Sequence, residues 1–137
     1  VIEMGDFTLV HGTLDNPEAF HYMRDTYWAL RSFDAMKTRI LFVGHSHVPG
    51  IFEYKKGDLK YFYQKKIKPS KNAKYIVNTG SVGQPRDRDS RASFVIYDTD
   101  QNEIYMKRIE YDIEKAKEKI LKADLPQMLA DRLSRGM

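Results

Sequence analysis

Two histidines one residue apart, in Gly44-His45-Ser46-His47, close the apolar run Ile40-Leu41-Phe42-Val43. A neutral imidazole nitrogen is a common ligand for divalent metals. In an extended segment, side chains two positions apart point to the same side, so this spacing predicts two imidazoles aimed into one pocket. Gly44 permits a tight turn where the strand stops. Ligand sites in open α/β sheets lie beyond the carboxyl ends of strands. His11-Gly12 ends a second strand-like run in the same way. A third run ends in the glycine-rich stretch Asn78-Thr79-Gly80-Ser81-Val82-Gly83-Gln84-Pro85. The fourth histidine, His21, falls inside a segment of helical spacing and has no partner in the sequence. A lone histidine is more often structural than a ligand, so His21 carries no metal expectation. The chain has no cysteine, which removes disulfides, thiolate metal sites and cysteine nucleophiles together. Any metal must then be held by His, Asp, Glu or Asn, a donor set that suits manganese, iron, nickel or zinc.

The elements that position these residues follow from hydrophobic spacing. Residues 1–4 and 7–10 read as a tight hairpin around Gly5-Asp6. Asn16-Pro17-Glu18 reads as a helix start, and Phe20, Met23, Tyr27 and Leu30 recur at helical spacing, which predicts one or two helices over about 17–36. Residues 40–43 form a short buried strand, 51–54 and 59–64 a hairpin around Lys56-Gly57-Asp58, and 75–77 another short strand. Residues 93–97 and 103–109 pair around an Asp- and Asn-rich turn. The tail is helical: Asp112 caps a helix carrying Ile113, Ala116, Ile120 and Leu121, and a second helix begins near Pro126 with Leu125, Met128, Leu129 and Leu133 on one face. Strands dominate and helices lie at both ends, so the class is α+β, organised as a single domain over residues 1–137.

Composition bounds the function. A charged fraction of 31% with 42% hydrophobic residues fits a folded domain rather than a disordered chain. No stretch approaches 18 consecutive apolar residues, so no membrane partner is expected. The chain does not open with a charged segment leading into an apolar one, and the expected compartment is the cytoplasm. The net charge of +4 is uneven: residues 54–74 carry eight lysines against one acidic residue, Asp58, with Tyr54, Tyr61, Phe62 and Tyr63 interleaved. That hairpin suits a polyanion such as nucleic acid. It equally suits an edge strand guarded by lysine.

The order His11-Gly12, then Gly44-His45-Ser46-His47-Val48-Pro49, then Asn-Thr-Gly-Ser-Val-Gly-Gln-Pro-Arg-Asp at 78–87 resembles the calcineurin-like metallophosphoesterase superfamily. It is most similar to the small bacterial and archaeal phosphodiesterases of the diadenosine tetraphosphatase-like group. The tail, Ala123-Asp124-Leu125-Pro126 through Leu129-Ala130-Asp131-Arg132-Leu133, resembles the end of those proteins, so the likeness runs through the whole chain. It implies a four-layer α/β/β/α sandwich of mostly antiparallel or mixed strands, with a dinuclear metal centre. By position, His11 and His45 match ligands of one ion and His47 a ligand of the other. Alternate residues of an extended chain lie about 6.5–7 Å apart, whereas paired catalytic metals lie about 3.5–4 Å apart, which agrees with that division. The implied reaction is hydrolysis of a phosphodiester or nucleotide by a hydroxide bridging two divalent ions. The amides of residues 80–83 suit an anion-binding nest, and Arg86 can fork onto a phosphate. Gly80, Ser81 and Arg86 are therefore candidate substrate-binding residues, the plain alternative being a tight turn with a solvated Arg-Asp-Arg-Asp loop.

The family's earlier motifs, D-x-H, G-D and G-N-H, have no counterpart here, and Gly5-Asp6 in its hairpin does not replace the second. The chain thus reads as the C-terminal portion of such an enzyme, without the bridging carboxylate or the leaving-group acid. Three neutral histidines cannot compensate two divalent charges, so the isolated chain is expected to hold fewer metals or none and to be inactive. One ion on three imidazoles is the remaining metal alternative. A sandwich core with one face uncovered favours self-association into a homo-oligomer. The rival function is a non-catalytic scaffold or nucleic-acid-binding module that uses the lysine-rich hairpin 54–74.

Overall fold

The computed structural model describes residues 1–137. In chain order its elements are β1 (Ile2–Met4), β2 (Phe7–Leu9), a 3-10 turn (Pro17–Ala19), α1 (Thr26–Ala35), β3 (Ile40–Val43), β4 (Gly50–Lys55) and β5 (Asp58–Phe62). There follow β6 (Lys66–Ile67), β7 (Lys74–Asn78), β8 (Ala92–Asp98), β9 (Glu103–Ile109), α2 (Ile113–Lys122), α3 (Gln127–Asp131) and a closing 3-10 turn (Leu133–Arg135). Six strands form one mixed sheet in the order β1-β2-β3-β7-β4-β5, and three form a second, antiparallel sheet in the order β6-β9-β8.

The uninterrupted run Ile40-Leu41-Phe42-Val43 becomes a central strand buried on both faces. Strand alternation sends Ile40 and Phe42 to one side and Leu41 and Val43 to the other. On the first side, Ile40, Phe42, Ile51, Tyr75 and Val77 pack against Ile67, Ile104 and Met106 of the small sheet. On the second, Leu41, Val43, Phe52 and Ile76 pack against Met23, Ala29, Phe33 and Met36, from α1 and the residues flanking it. Helix, large sheet and small sheet are three layers of the four-layer arrangement. In the tail, α2 contributes no buried residue and packs on α3 and the last turn, where Ala130 and Leu133 are buried.

Two details of the predicted elements change. The segment 17–36 holds a single 3-10 turn and then α1, with residues 21–24 irregular between them. His21 therefore lies outside any helix and stacks on Trp28 at 4.4 Å between ring centroids. The helix cannot run on from Pro17 because Phe20 adopts a left-handed conformation, φ 50°. A Cβ on Gly12 would come within 2.8 Å of the His21 carbonyl oxygen, so the two backbone segments already touch. Asn16 precedes the 3-10 turn but its side chain makes no capping bond, whereas Asp25 and Asp112 cap α1 and α2 by accepting from the amides of Trp28 and Lys115.

Candidate metal centre

Strands β2, β3 and β7 run parallel, so their carboxyl ends finish along one edge of the sheet, and antiparallel β4 begins there. Those ends carry His11, the His45–His47 turn and the loop after Asn78, which is where open α/β sheets place ligands. The Gly44 amide donates to the His11 carbonyl at 3.0 Å, locking the first two together. His11 Nε2 and His45 Nδ1 then meet at 2.9 Å, two ring nitrogens facing each other in a hydrogen bond in which one carries the proton and the other accepts it. The His45 ring also stacks on Tyr22, 4.1 Å between centroids, and His11 meets Phe20 edge-on at 5.9 Å.

His47 takes a different direction. Its Nδ1 pairs with the Gln84 carbonyl oxygen at 2.7 Å, which makes Nδ1 the protonated nitrogen and leaves Nε2 with a free lone pair. The turn is not the extended segment that spacing predicts: His45 and His47 are both left-handed, each at φ 61°. The two imidazoles therefore diverge, one joining His11 and the other the 84–86 loop. Burial pushes both imidazoles below their ordinary pKa. At His45 the neighbouring His11 and His47 act in the same direction, and at His47 Arg86 does so while the Gln84 carbonyl opposes it. Neutral imidazole is the form that ligates a metal.

Asn78, which spacing did not single out, is the clamp of the site. It is buried, and its Nδ2 donates to Ser46 Oγ at 2.8 Å and to the Gly44 carbonyl at 3.2 Å. Its Oδ1 accepts from the Gly80 amide at 3.1 Å. The Gly80 N–H is thus already engaged and is not available to an anion. Ser81 Oγ accepts from the Gln84 amide at 2.9 Å, which leaves the hydroxyl proton free. Gly80 sits at φ 75°, and a Cβ there would come within 2.6 Å of Ser93 Oγ. The Arg86 guanidinium rests on the neutral Gln84 Oε1 through Nε and Nη2, at 3.1 and 2.6 Å. The following Arg-Asp-Arg-Asp loop is stapled rather than merely solvated, with Asp87 bonded to Arg108 and Asp89 to Arg91.

No group of three His, Asp or Glu converges on one point, so a single ion held by His11, His45 and His47 together does not fit. A pair of facing nitrogens plus one separately oriented imidazole with a carbonyl behind it does fit part of a larger ligand set. Asp6 plays no part in it; it lies at the opposite end of the strands, paired with Arg39 at 2.6 Å. The lysines of 54–74 are also partly engaged. Lys74 donates to the Phe33 and Met36 carbonyls, Lys66 pairs with Glu103 and Lys60 with Asp58.

Residues 1–102 match the calcineurin-like phosphoesterase superfamily domain, and the chain belongs to that superfamily, whose members typically bind divalent metals. It is 45% identical over 97 residues to an uncharacterized protein of Methanocaldococcus jannaschii, a span covering 71% of this chain and 39% of that one. The crystal structure of a metallophosphoesterase from Sphaerobacter thermophilus superposes with a TM-score of 0.86 at 33% identity, covering 99% of this chain and 57% of the other. A hypothetical protein from Pyrococcus horikoshii shares the fold, with a TM-score of 0.65 at 19% identity over 96% of this chain and 46% of its own. The chain thus spans between about two fifths and three fifths of the length of these relatives. No helix is long and apolar enough to cross a membrane.

Proposed function

We propose that this chain forms the histidine-bearing wall of a metal-dependent phosphoesterase whose carboxylate ligands come from residues outside these 137. The observation that carries the reading is the division of the imidazoles: a His11–His45 pair, and His47 held apart with its Nε2 lone pair free. On this reading His11 and His45 hold one divalent ion and His47 a second. When bound, such ions polarise phosphoryl oxygens and acidify water, which supplies both electrophile and nucleophile for in-line displacement. Superfamily membership supports phosphoesterase chemistry in general; phosphodiesters and nucleotides are the substrate class proposed here.

The chain's own residues do the positioning. Tyr22 and Phe20 hold the His45 and His11 rings by stacking and edge contact. Asn78 fixes the spacing between the His45–His47 turn and the loop that carries Ser81 and Arg86. Arg86, whose guanidinium meets a neutral amide oxygen and no carboxylate, is the cation for a phosphate, with the Ser81 hydroxyl as a further donor. The test is hydrolysis of an aryl phosphodiester by the complete protein with added manganese. Replacing His45 or His47 with Ala is expected to lower turnover by at least about 100-fold, since even the groups behind metal ligands are worth about 10–100-fold. Chelation is expected to abolish turnover, and full activity in chelator would refute the reading.

A further inference from the structure

A cavity of about 320 Å³ opens beside the His45–His47 turn, with Ser46 on its wall. Met23 and Phe52 are buried at its base, and Val48 and Tyr61 form its partly exposed sides. Tyr61 is held there by an absence: a Cβ on Gly50 would lie 2.2 Å from its hydroxyl oxygen, so the ring rests directly over the glycine. The Phe52 ring supports it from the side, 4.7 Å between centroids. The result is a slot with one apolar, aromatic side, the rest of its lining being Arg24, Ser46, Asn78 and Arg86, at the small end of the range of about 300–1,000 Å³ for small-molecule sites.

Two guanidiniums stand on the same cavity, those of Arg24 and Arg86. Arg39, Arg91, Arg108 and Arg31 are each paired with an aspartate. Arg24 makes neither hydrogen bond nor ion pair, and its guanidinium lies 4.2 Å over the Tyr22 ring that stacks on His45. Arg86 is bonded only to the amide oxygen of Gln84, and its backbone amide donates to the His47 carbonyl. Two unneutralised forks at the mouth of this slot match a ligand with a phosphate at one end and a planar ring at the other.

We propose that this slot is a specificity site for phosphoesters bearing a nucleobase or similar aromatic group, the ring lying among Met23, Phe52 and Tyr61 and the phosphate between Arg24 and Arg86. The inference deepens the phosphoesterase reading by naming which esters reach the centre, yet the binding step needs no metal. It is tested on this 137-residue chain in the presence of chelator, by amide shifts in two-dimensional NMR with AMP, ribose 5-phosphate and inorganic phosphate. AMP is expected to shift the amides of Arg24, Phe52, Tyr61 and Arg86, and to bind at least about tenfold more tightly than ribose 5-phosphate. Arg24→Ala and Arg86→Ala are expected to weaken both ligands by at least about tenfold. Tyr61→Ala, and Gly50→Ala through displacement of the Tyr61 ring, are expected to weaken AMP alone. Equal affinity for AMP and ribose 5-phosphate, no shifts at millimolar AMP, or shifts confined to the Tyr63–Lys66 side of the molecule would overturn the proposal. A chain that binds AMP as described, in a complete protein that hydrolyses nothing with any metal, would overturn the enzymatic reading and leave this one standing.

Discussion

His45 and His47 both occupy left-handed backbone, at φ 61°. For a residue with a Cβ such a conformation costs on the order of 1–2 kcal/mol, and it survives only where neighbours enforce it. Here the enforcement comes from Asn78 on Ser46 and Gly44, and from the Arg86 amide on the His47 carbonyl. Glycine substitutions should therefore relax the turn. His45→Gly and His47→Gly are each expected to be about 1 kcal/mol more stable than the corresponding alanine variants in urea unfolding; equal midpoints would mean the turn is unstrained. The same histidines give stability a pH dependence. Burial pushes both imidazoles below the ordinary value of 6.5, so between that value and their native ones the unfolded chain binds more protons. Their contribution is complete above about 6.5 and is lost as pH falls through the lower native values. Asp89, held at about 2 chiefly by its hydrogen bond from Arg91, contributes above its ordinary 3.8 and loses that contribution as pH falls through about 2. Urea midpoints plotted against pH should fall in two stages. The double variant His45→Asn with His47→Asn flattens only the upper stage, and Asp89→Asn reduces only the lower, which Asp15 and Glu103, also held below their ordinary values, share.

Helix α1 shows how far the elements were written in local sequence. Its start is not the one read at Asn16-Pro17-Glu18, where only a 3-10 turn forms; Asp25 caps it further on, and its end depends on a distant residue. The carbonyls of Phe33 and Met36 are met by Nζ of Lys74, at 3.2 and 2.9 Å, from a strand about 40 residues further along. A cation at the negative end of a helix, bonded to its last carbonyls, is worth about 1–2 kcal/mol. Lys74→Met should lower the urea midpoint by that amount with an unchanged m-value; an unchanged midpoint would remove Lys74 from the helix's support. Short-range signals did reach the strands: the apolar run 40–43, the glycine turn at 57 and the Asp-rich turn at 98–102 all stand where spacing set them. The helical spacing of Phe20, Met23, Tyr27 and Leu30 misled because Phe20, Tyr27 and Leu30 are exposed and Met23 is buried from irregular backbone. The identity of His11, His45 and His47 as one neighbourhood was legible from their strand ends. Their partition came from the family resemblance; what local spacing missed is how it is built, by a left-handed turn and by Asn78 and Gln84, more than 30 residues away.

The parallel run of β2, β3 and β7 gives the molecule two unlike poles. At the carboxyl pole Arg24 and Arg86 have no carboxylate partner: Arg24 lies over the Tyr22 ring and Arg86 rests on the Gln84 amide oxygen. At the amino pole charge is neutralised and cross-linked. Arg39 bonds Asp6 at 2.6 Å, Asn102 Oδ1 at 2.9 Å and the Pro69 carbonyl at 3.4 Å, while Tyr97 donates to Asp6 and Asn102 to Pro69. That network ties the turns entering both sheets, so it serves the sandwich and not the site. Mutations at the two poles should accordingly separate stability from binding. Arg39→Met strands an aspartate and an amide oxygen and should cost about 1–2 kcal/mol in urea, with AMP affinity within about twofold of the parent, because distant sites act independently. Asn78→Ala releases Ser46, Gly44 and Gly80 at once. It should weaken AMP by at least about tenfold even at temperatures where the chain stays fully folded. If Arg39→Met weakened AMP as much as Asn78→Ala does, the poles would be coupled through the β3 strand, and the site would depend on the whole sandwich rather than on its clamp.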